Sequence, residues 1–341
     1  MSLSVDIQKQ LGDFRLQVRF EAGNEILALL GASGCGKSVT LKCVSGVLTP
    51  DEGRIVLDGT VLYDSAAHIN LPPQKRHIGY LFQQYALFPN MTVRQNIAVA
   101  VPDKSSRGSE TEALLKRFQL ESIADRRPRQ ISGGQQQRTA LARILASRPQ
   151  AILLDEPFSA LEMQAFLADF PGTVLWVSHD RGEVWRNCPR VCLVHQGRSQ
   201  PPVPMKALFQ DPGTESAARL SGCKNYAAAR PVGTAVVLPE WGLRLECGRP
   251  VPAEICKVGI RSHHILPADD TSVNRFSCQV VRVIDDVFGT IVLLRPAAAA
   301  PDAPLLRMEL GKDQWAALAD PSVLSVSVAP EHILLLRKED V

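Results

Sequence analysis

The chain has 341 residues, more than one average hydrophobic core serves, which suggests roughly two domains. Its 38 basic and 35 acidic side chains give a formal net charge of +3, so composition gives no reason to expect a nucleic-acid partner. Eight cysteines form no CxxC pair and follow no basic and apolar leader, which favours a reducing cytoplasm over a disulfide framework. Apolar runs such as 26–30 and 291–294 are far shorter than the roughly 18 to 20 residues that span a bilayer, so we expect no membrane crossing.

An α/β domain is predicted first. From residue 1 to about 200, short aliphatic runs alternate with helical patterns, which is typical of a mostly parallel sheet covered by helices. The predicted buried strands are Glu25–Leu30, Ala151–Leu154, Thr173–Val177 and Val191–Val194.

A second, all-β domain is predicted after residue 200, where 14 of the 24 prolines fall and alternating β-branched segments replace helical periodicity. Regular short strands indicate a small barrel or sandwich, and 296–304 is predicted to be a surface loop. We place the domains at residues 1–222 and 223–341. The predicted strands are Thr234–Leu238, Leu243–Glu246, Glu254–Ile260, Phe276–Ile284, Thr290–Leu294, Leu305–Leu310 and Val323–Val328.

A weak internal repeat lies in this second part. Residues 258–266 and 326–334 share Val, His, Ile and Leu at equivalent positions, 68 residues apart. The repeat places His264 and His332 at the same position of the two copies.

A phosphate-binding loop is the strongest motif. Residues 31–38 fit GxxxxGK[ST], follow the predicted strand ending at Leu30 and precede a helical run from Val39 to Val44. In this pattern glycines let backbone N–H groups point inward, the helix N-terminus adds positive potential, the lysine reaches the terminal phosphates and the serine ligates Mg²⁺. The motif predicts a bound triphosphate with Mg²⁺, held by Gly31, Ala32, Ser33, Gly34, Cys35, Gly36, Lys37 and Ser38.

Three further motifs decide among kinases, GTPases and motors. The first, Ile131-Ser-Gly-Gly-Gln135, opens a helix. The second is an aliphatic strand that ends in Asp155 and Glu156, and the third is a strand followed by Ser178 and His179.

This combination resembles the nucleotide-binding subunits of ATP-binding cassette (ABC) transporters over most of residues 25–200. The resemblance implies an ABC-type P-loop NTPase fold that hydrolyses ATP. It also implies that Ser132, Gly133, Gly134 and Gln135 present donors to the γ-phosphate held by the opposite subunit, so that a homodimer encloses two ATP molecules. A second helix N-terminus aimed at triphosphate attracts it only while the γ-phosphate remains, so hydrolysis weakens such a dimer.

The resemblance also assigns the reacting groups. Asp155 holds Mg²⁺ through water, and Glu156 is the base that orients and deprotonates the attacking water. His179 contacts the γ-phosphate and water, while Gln83 touches Mg²⁺ and water, with Gln84 as the alternative register. The segment 90–96 resembles the surface that receives a coupling helix from a membrane subunit.

Three positions depart from the family pattern. The aromatic residue that stacks on adenine is replaced by Leu11, so Phe14 or Phe20 has to substitute. Glu162 stands where the family has aspartate, and the helix within 163–170 is shortened. A right-handed parallel crossover still has enough chain to close. We expect a folded ATPase of reduced activity, and a catalytically weak regulatory scaffold is the alternative.

The β-rich tail resembles the regulatory domain of importer ATPases, which consists of small oligonucleotide-binding-like (OB-like) barrels of the TOBE or MOP type. The runs 170–179 and 220–225 look most like molybdate importer subunits, although sulfate/thiosulfate importers share the layout and sugar or iron importers share much of it. The tail is predicted to be either an oxyanion sensor or a dimerisation and docking module.

The resemblance therefore implies an importer ATPase at the cytoplasmic face of the membrane, working with permease subunits and an extracytoplasmic solute-binding protein. An ABC ATPase acting on nucleic acid predicts two cassettes, a coiled-coil insertion or a basic arm, and the sequence shows none of these.

Overall fold

The computed structural model describes residues 2–157, 167, 169–178 and 180–338. By compactness the chain divides into two units, 1–205 and 206–341. This division falls ahead of the domain boundary placed at residues 222 and 223, which stays a prediction. Among the described residues no helix is long and apolar enough to cross a membrane.

The first unit contains twelve strands and five helices in its described residues. The helices are α1 (Lys37–Ser45), α2 (Val93–Ala98), α3 (Arg107–Arg117), α4 (Gly133–Ala146) and α5 (Arg181–Asn187). The strands are β1 (Leu3–Leu11), β2 (Phe14–Ala22), β3 (Ile26–Leu30), β4 (Glu52–Leu57), β5 (Thr60–Asp64), β6 (Ile69–Asn70), β7 (Ile78–Leu81), β8 (Ala151–Asp155), β9 (Thr173–Val177), β10 (Arg190–His195), β11 (Arg198–Ser199) and β12 (Val203–Pro204).

Parallel strands form the centre of this unit, in the order β10-β3-β9-β8-β7. Every residue of β8 and β9 is buried, as expected for strands covered on both faces. The four buried strands predicted from aliphatic runs are confirmed. The carboxyl ends of β3, β8 and β9 lie along one edge of the sheet, where ligands bind in open α/β folds.

An antiparallel portion, β6-β5-β4-β1-β2, continues the sheet through β11. In β2 the even-numbered residues from Leu16 to Ala22 are buried and the odd-numbered ones are exposed, which is the period of a strand with one face in the core. Helix α1 contributes Leu41, Cys43 and Val44 to a core cluster that contains residues of both portions of the sheet. The second half of α1 is therefore held in this core by its apolar side chains.

The second unit is mainly β and has its own core around Trp241, Val258 and Met308. Its three sheets are antiparallel, which confirms the expected all-β, OB-like class. Its elements are α6 (Met205–Gln210, whose first residue closes the first unit), α7 (Glu215–Leu220), β13 (Asn225–Ala228), β14 (Arg230–Val232), β15 (Ala235–Leu238), β16 (Leu243–Glu246), β17 (Ile255–Ile260), β18 (Leu266–Pro267), β19 (Phe276–Asp285), β20 (Thr290–Pro296), β21 (Leu306–Leu310), α8 (Lys312–Ala316), β22 (Val323–Ser327) and β23 (Ile333–Arg337).

A buried arginine is among the residues that connect segment 206–222 to the β elements. The guanidinium of Arg261 donates to the backbone carbonyl of Ser221 and, at 2.6 Å, to that of Phe209. Arg261 is only 7% exposed, so the backbone groups that it binds pack against the β elements. Helix α6 and the turn after α7 therefore belong to the second unit.

Candidate active site

The loop between β3 and α1 has the path that the P-loop motif predicts. A Cβ atom on Gly31 would lie 2.1 Å from the carbonyl oxygen of Val194, and one on Gly36 would lie 2.4 Å from Leu16 Cδ1. Gly36 also has φ of +109°, which side-chain-bearing residues rarely adopt. Both glycines are therefore required by the backbone itself. Between them Ala32, Ser33 and Gly34 are exposed at the tip of the loop.

Lys37 crosses the mouth of this loop. Its Nζ donates to the carbonyl oxygens of Gly31 (2.7 Å) and Ala32 (2.9 Å), lies 3.7 Å from Cys35 Sγ, and belongs to a side chain only 8% exposed. The helix start has no side-chain cap, so the amide groups of its first turn keep their donor capacity. A cation and a helix N-terminus at one point are suited to a polyphosphate.

Asp155 is the most closely held acidic group of the site. Ser38 Oγ donates to its Oδ1 at 3.0 Å, and the phenolic hydroxyl of Tyr80 donates to its Oδ2 at 3.1 Å. Asp155 as a whole residue is 8% exposed. Burial and the negative charge of Asp155 raise the pKa of Tyr80, so the phenol remains a donor. Hydroxyl, carboxylate and amide oxygens are hard donors, and the set Ser38, Asp155 and Gln83 fits Mg²⁺.

Glu156 lies one residue beyond the end of β8 in a left-handed conformation, with φ of +52°. Its backbone N–H donates to the carbonyl of Val177 on β9 (2.9 Å), which fixes the turn. Gln83 Nε2 donates to its Oε2 at 3.4 Å from an exposed side chain after β7. The structure thus brings Gln83, Asp155 and Glu156 to the edge of the sheet that carries the P-loop, as the sequence predicts.

The third motif is described only in part. Ser178 Oγ donates to Glu183 Oε2 at 2.9 Å, and Asp180 caps α5 by accepting from the Glu183 N–H. His179 lies outside the described residues, as do Glu162 and all of 163–170 except 167, 169 and 170. The roles predicted for His179 and Glu162 stay predictions.

The start of α4 is a capping box. Ser132 Oγ accepts from the N–H of Gln135 (3.3 Å), while Gln135 Oε1 accepts from the N–H of Ser132 (2.9 Å). Ser132, Gly133 and Gly134 are exposed. Within the described residues no hydrogen bond joins this helix start to the P-loop of the same chain.

The two phenylalanines considered for adenine differ in burial, and Phe14 is the partly exposed one. Phe14 Cζ is 3.2 Å from the position that a Cβ of Gly36 would take. Phe20 is 3% exposed and belongs to the core cluster, so it is not available to a base. Leu11 is 39% exposed and has no ring to stack. The geometry favours Phe14, which stays a proposal.

The loop that follows Gln83 is held by a buried amide. Asn96, 0% exposed, accepts from the N–H of Phe88 and donates to the carbonyls of Phe88, Met91 and Thr92 at 3.0–3.2 Å. The Arg143 guanidinium lies 5.2 Å from the ring centroid of Phe88, whose side chain is 46% exposed. A rigid backbone therefore presents an apolar side chain to solvent.

Two contributions to this site have no role in the sequence prediction. Tyr80 stands in a predicted motif, but no local signal indicates that its hydroxyl reaches a residue 75 positions later. Asn96 marks the end of the predicted coupling segment, and only the fold shows that it ties residues 88–92 together.

The fold and site together define a P-loop ATPase cassette. Residues 15–159 match the family model described as ABC transporter. The chain is 37% identical over 246 residues to the molybdenum import ATP-binding protein ModC of Paramagnetospirillum magneticum, covering 69% of this chain and 66% of the relative. It is 34% identical over 281 residues to the spermidine/putrescine import ATP-binding protein PotA of Methylococcus capsulatus, covering 77% and 70%.

A solved dimeric structure of an ATP-binding cassette, in a post-hydrolysis state with ADP and Pi, is similar with a TM-score of 0.51 at 26% identity. It covers 60% of this chain and 99% of that one. The chain belongs to the ABC transporter family, in the class of its ATPase subunits, whose cassette binds ATP. The match spans 66% of the length of the ModC relative, just under two thirds.

Proposed function

We propose that this chain hydrolyses Mg²⁺-ATP to energise an ABC importer for an oxyanion. Molybdate is the oxyanion that we propose. The observation that carries the catalytic part is the convergence of Ser38 and Tyr80 on Asp155, with Gln83 on the adjacent Glu156, beside the P-loop. In a solvated acidic turn water would hydrate the carboxylates, and donors from three separate elements would not be needed.

The residues divide the chemistry among themselves. Lys37 and the first turn of α1 hold the phosphates, while Ser38 and Asp155 hold Mg²⁺, which neutralises charge on the phosphate oxygens when bound. Glu156 accepts the proton of the attacking water, and the Gln83 amide keeps that carboxylate turned toward the site. His179 is proposed to contact the γ-phosphate.

A second copy of the chain completes each site in this proposal. Gly133 and Gly134 lie in the first turn of α4, and a Cβ on either would meet nothing within 4 Å. A helical glycine costs about 0.5–1 kcal/mol relative to alanine, so the chain's own packing gives no reason for two of them. Close approach of a nucleotide held by another copy supplies that reason, with Ser132 and Gln135 beside it.

The importer assignment rests on relatives and on one surface. The relatives cited are import ATP-binding proteins by name. The segment fixed by Asn96, with exposed Phe88, is proposed to receive the membrane subunit at the cytoplasmic face of the membrane. Permease subunits and an extracytoplasmic solute-binding protein are the proposed partners, and nucleic acid is not.

The substrate is the finer part of the proposal. A molybdenum import protein is among the relatives with the most extensive similarity, at 37% identity, but a sulfate/thiosulfate import protein CysA of Synechocystis is 36% identical over 232 residues. The runs 170–179 and 220–225 favour molybdate, and sulfate/thiosulfate is the runner-up. The second unit is proposed to be a TOBE- or MOP-like regulatory domain, acting as an oxyanion sensor or as a docking module.

Uptake by cells that lack this chain tests the proposal. Labelled molybdate, sulfate and putrescine are supplied separately, and the cells are complemented with wild type or with Glu156→Gln. We expect molybdate uptake alone to be lost, and to return only with wild type.

Each other outcome has a definite meaning. Loss of sulfate uptake alone supports the runner-up, and no loss for any solute overturns the importer assignment. Full restoration by Glu156→Gln supports the scaffold alternative, because hydrolysis is then dispensable.

A further inference from the structure

Tyr80 occupies a place between two parts of the site. It lies in β7, which pairs in parallel with β8 so that Tyr80 is opposite Leu153, two residues before Asp155. Its ring stacks on that of Phe82, with centroids 4.0 Å apart and planes at 28°. Gln83 follows directly. One side chain thus touches the acid at the end of β8 and the base of the loop that carries Gln83.

The hydroxyl of Tyr80 completes the hydrogen bonding of the Asp155 carboxylate. Ser38 Oγ donates to Oδ1 and Tyr80 donates to Oδ2, at 3.0 Å and 3.1 Å. Two hydroxyls from different elements fix the plane of the carboxylate. Outer partners of this kind orient metal-binding groups, and their loss costs about 10- to 100-fold in metal affinity.

We propose that Tyr80 is a positioning residue for Mg²⁺ binding, which acts by holding the Asp155 carboxylate in place through its hydroxyl. This inference rests on the proposed function, because it requires that Asp155 serve Mg²⁺-ATP. The inference adds Tyr80 as a residue that affects Mg²⁺ only through Asp155. Strand β7 then contributes to the metal site as well as supporting the loop that carries Gln83.

Tyr80→Phe removes the hydroxyl and keeps the ring that stacks on Phe82. Binding of a fluorescent ATP analogue is measured in EDTA and then during titration with Mg²⁺. We expect Tyr80→Phe to bind the analogue as wild type does in EDTA, because Lys37 and the P-loop backbone are intact. The Mg²⁺ concentration that gives half of the metal-dependent change in binding should be about tenfold higher than in wild type.

Tyr63→Phe is the matched control. Tyr63 is buried and donates one hydrogen bond at 2.8 Å, to the carbonyl of Pro50, which is neither in the P-loop nor among the groups assigned to Mg²⁺. Loss of a hydroxyl lowers stability in both variants by about 1 kcal/mol, so a shift in the Mg²⁺ titration confined to Tyr80→Phe separates positioning from folding.

The result that overturns the inference is a Mg²⁺ titration of Tyr80→Phe within twofold of wild type. If wild type itself shows no Mg²⁺-dependent binding, the proposed function fails instead. If the phenylalanine variant does not fold, Tyr80→Met, which also removes the hydroxyl, is titrated with Mg²⁺ in its place and judged by the same twofold limit.

Discussion

The imidazole rings of His264 and His332 stack face to face, with centroids 3.7 Å apart and planes at 14°. Each ring ends a short 3₁₀ turn, and the two positions are equivalent in the internal repeat of the sequence. His264 Nδ1 is buried without a hydrogen-bond partner. The repeat therefore places two titratable rings against each other inside the second unit.

Stability is expected to fall as the pH is lowered from about 6.5 to about 4. Burial, reinforced by the positive charges of His332, His263 and Arg261 and opposed by Glu331, lowers the pKa of His264 from 6.5 to about 4. Between these values the unfolded chain binds a proton that the folded chain does not, so stability is full above pH 6.5 and is lost toward pH 4. Because the ring is partly solvated, we expect about 1 kcal/mol.

His264→Phe keeps a ring that stacks and removes the proton site. Urea unfolding at pH 7 and pH 5 is expected to show a smaller loss of stability in this variant than in wild type. The control is His68→Asn at an exposed histidine with φ of +55°, a conformation that asparagine tolerates. A variant that keeps the full pH dependence of wild type contradicts the assignment to His264.

Glu156→Gln is expected to slow ATP hydrolysis at least 100-fold without weakening ATP binding, because the amide keeps the shape of the side chain but accepts no proton. Phosphate release gives the rate, and size-exclusion chromatography with ATP gives the fraction of paired chains, which should rise. Glu21→Gln, at an exposed glutamate of β2, should behave as wild type. Wild-type turnover by Glu156→Gln rejects the catalytic assignment.

Gly134→Ala is expected to stabilise the chain while impairing its function. The added methyl meets nothing within 4 Å and raises helix propensity, worth about 0.5 kcal/mol at a helix start. In the proposed dimer the same methyl faces the nucleotide held by the second copy, so ATP turnover should fall at least tenfold. Thermal unfolding and phosphate release measure the two effects.

Gly108 supplies the matched control for this substitution. It is the second residue of α3, as Gly134 is of α4, and a Cβ there also meets nothing within 4 Å. Gly108→Ala should raise the unfolding temperature similarly and leave turnover unchanged. Equal turnover in the two variants means that no second copy approaches Gly134.

The sequence pattern was sufficient to predict those elements whose own residues indicate that they are buried. Strand β3 is entirely aliphatic, β8 is aliphatic up to Asp155, and β9 is a Thr-Val-Leu-Trp-Val run, and their fully or nearly fully buried positions follow from that composition. The P-loop was predictable for the same reason, because its glycines and its lysine act within eight consecutive residues. Asp155 and Glu156 follow from their position at the end of such a run.

Contacts between distant residues could not be predicted in this way. Strand β2 pairs with β11 at Gln17 and Arg198, and no local pattern specifies such a partner. Asn225, 2% exposed, exchanges hydrogen bonds with the backbone of Arg307, 82 residues later. Tyr80 and Asp155 are related in the same way. The proposal of Phe14 over Phe20 also required the structure. Both residues lie at even-numbered positions of β2, so the strand period alone does not tell which of them is buried.

Arg76 offers a test of how α1 is anchored at the end opposite to Lys37. Arg76 is 1% exposed, and its guanidinium donates to the carbonyls of Cys43 and Val44 in the last turn of α1 and to that of Leu71. The positive charge of Arg76 also interacts favourably with the negative C-terminal end of the helix dipole. Arg76→Met removes the guanidinium donors from these buried carbonyls, of which that of Cys43 also accepts from the N–H of Gly46 at 3.2 Å, so we expect a loss of about 3 kcal/mol in the free energy of unfolding.

Urea unfolding at neutral pH measures this loss. Arg19→Met, whose side chain is 84% exposed, is the control and should lie within about 0.5 kcal/mol of wild type. Arg76→Lys keeps the charge but has no planar fork to reach several carbonyls, so its stability should lie between those of wild type and Arg76→Met. A cost below about 1 kcal/mol for Arg76→Met shows that α1 is held by its apolar packing alone, through Leu41 and Val44.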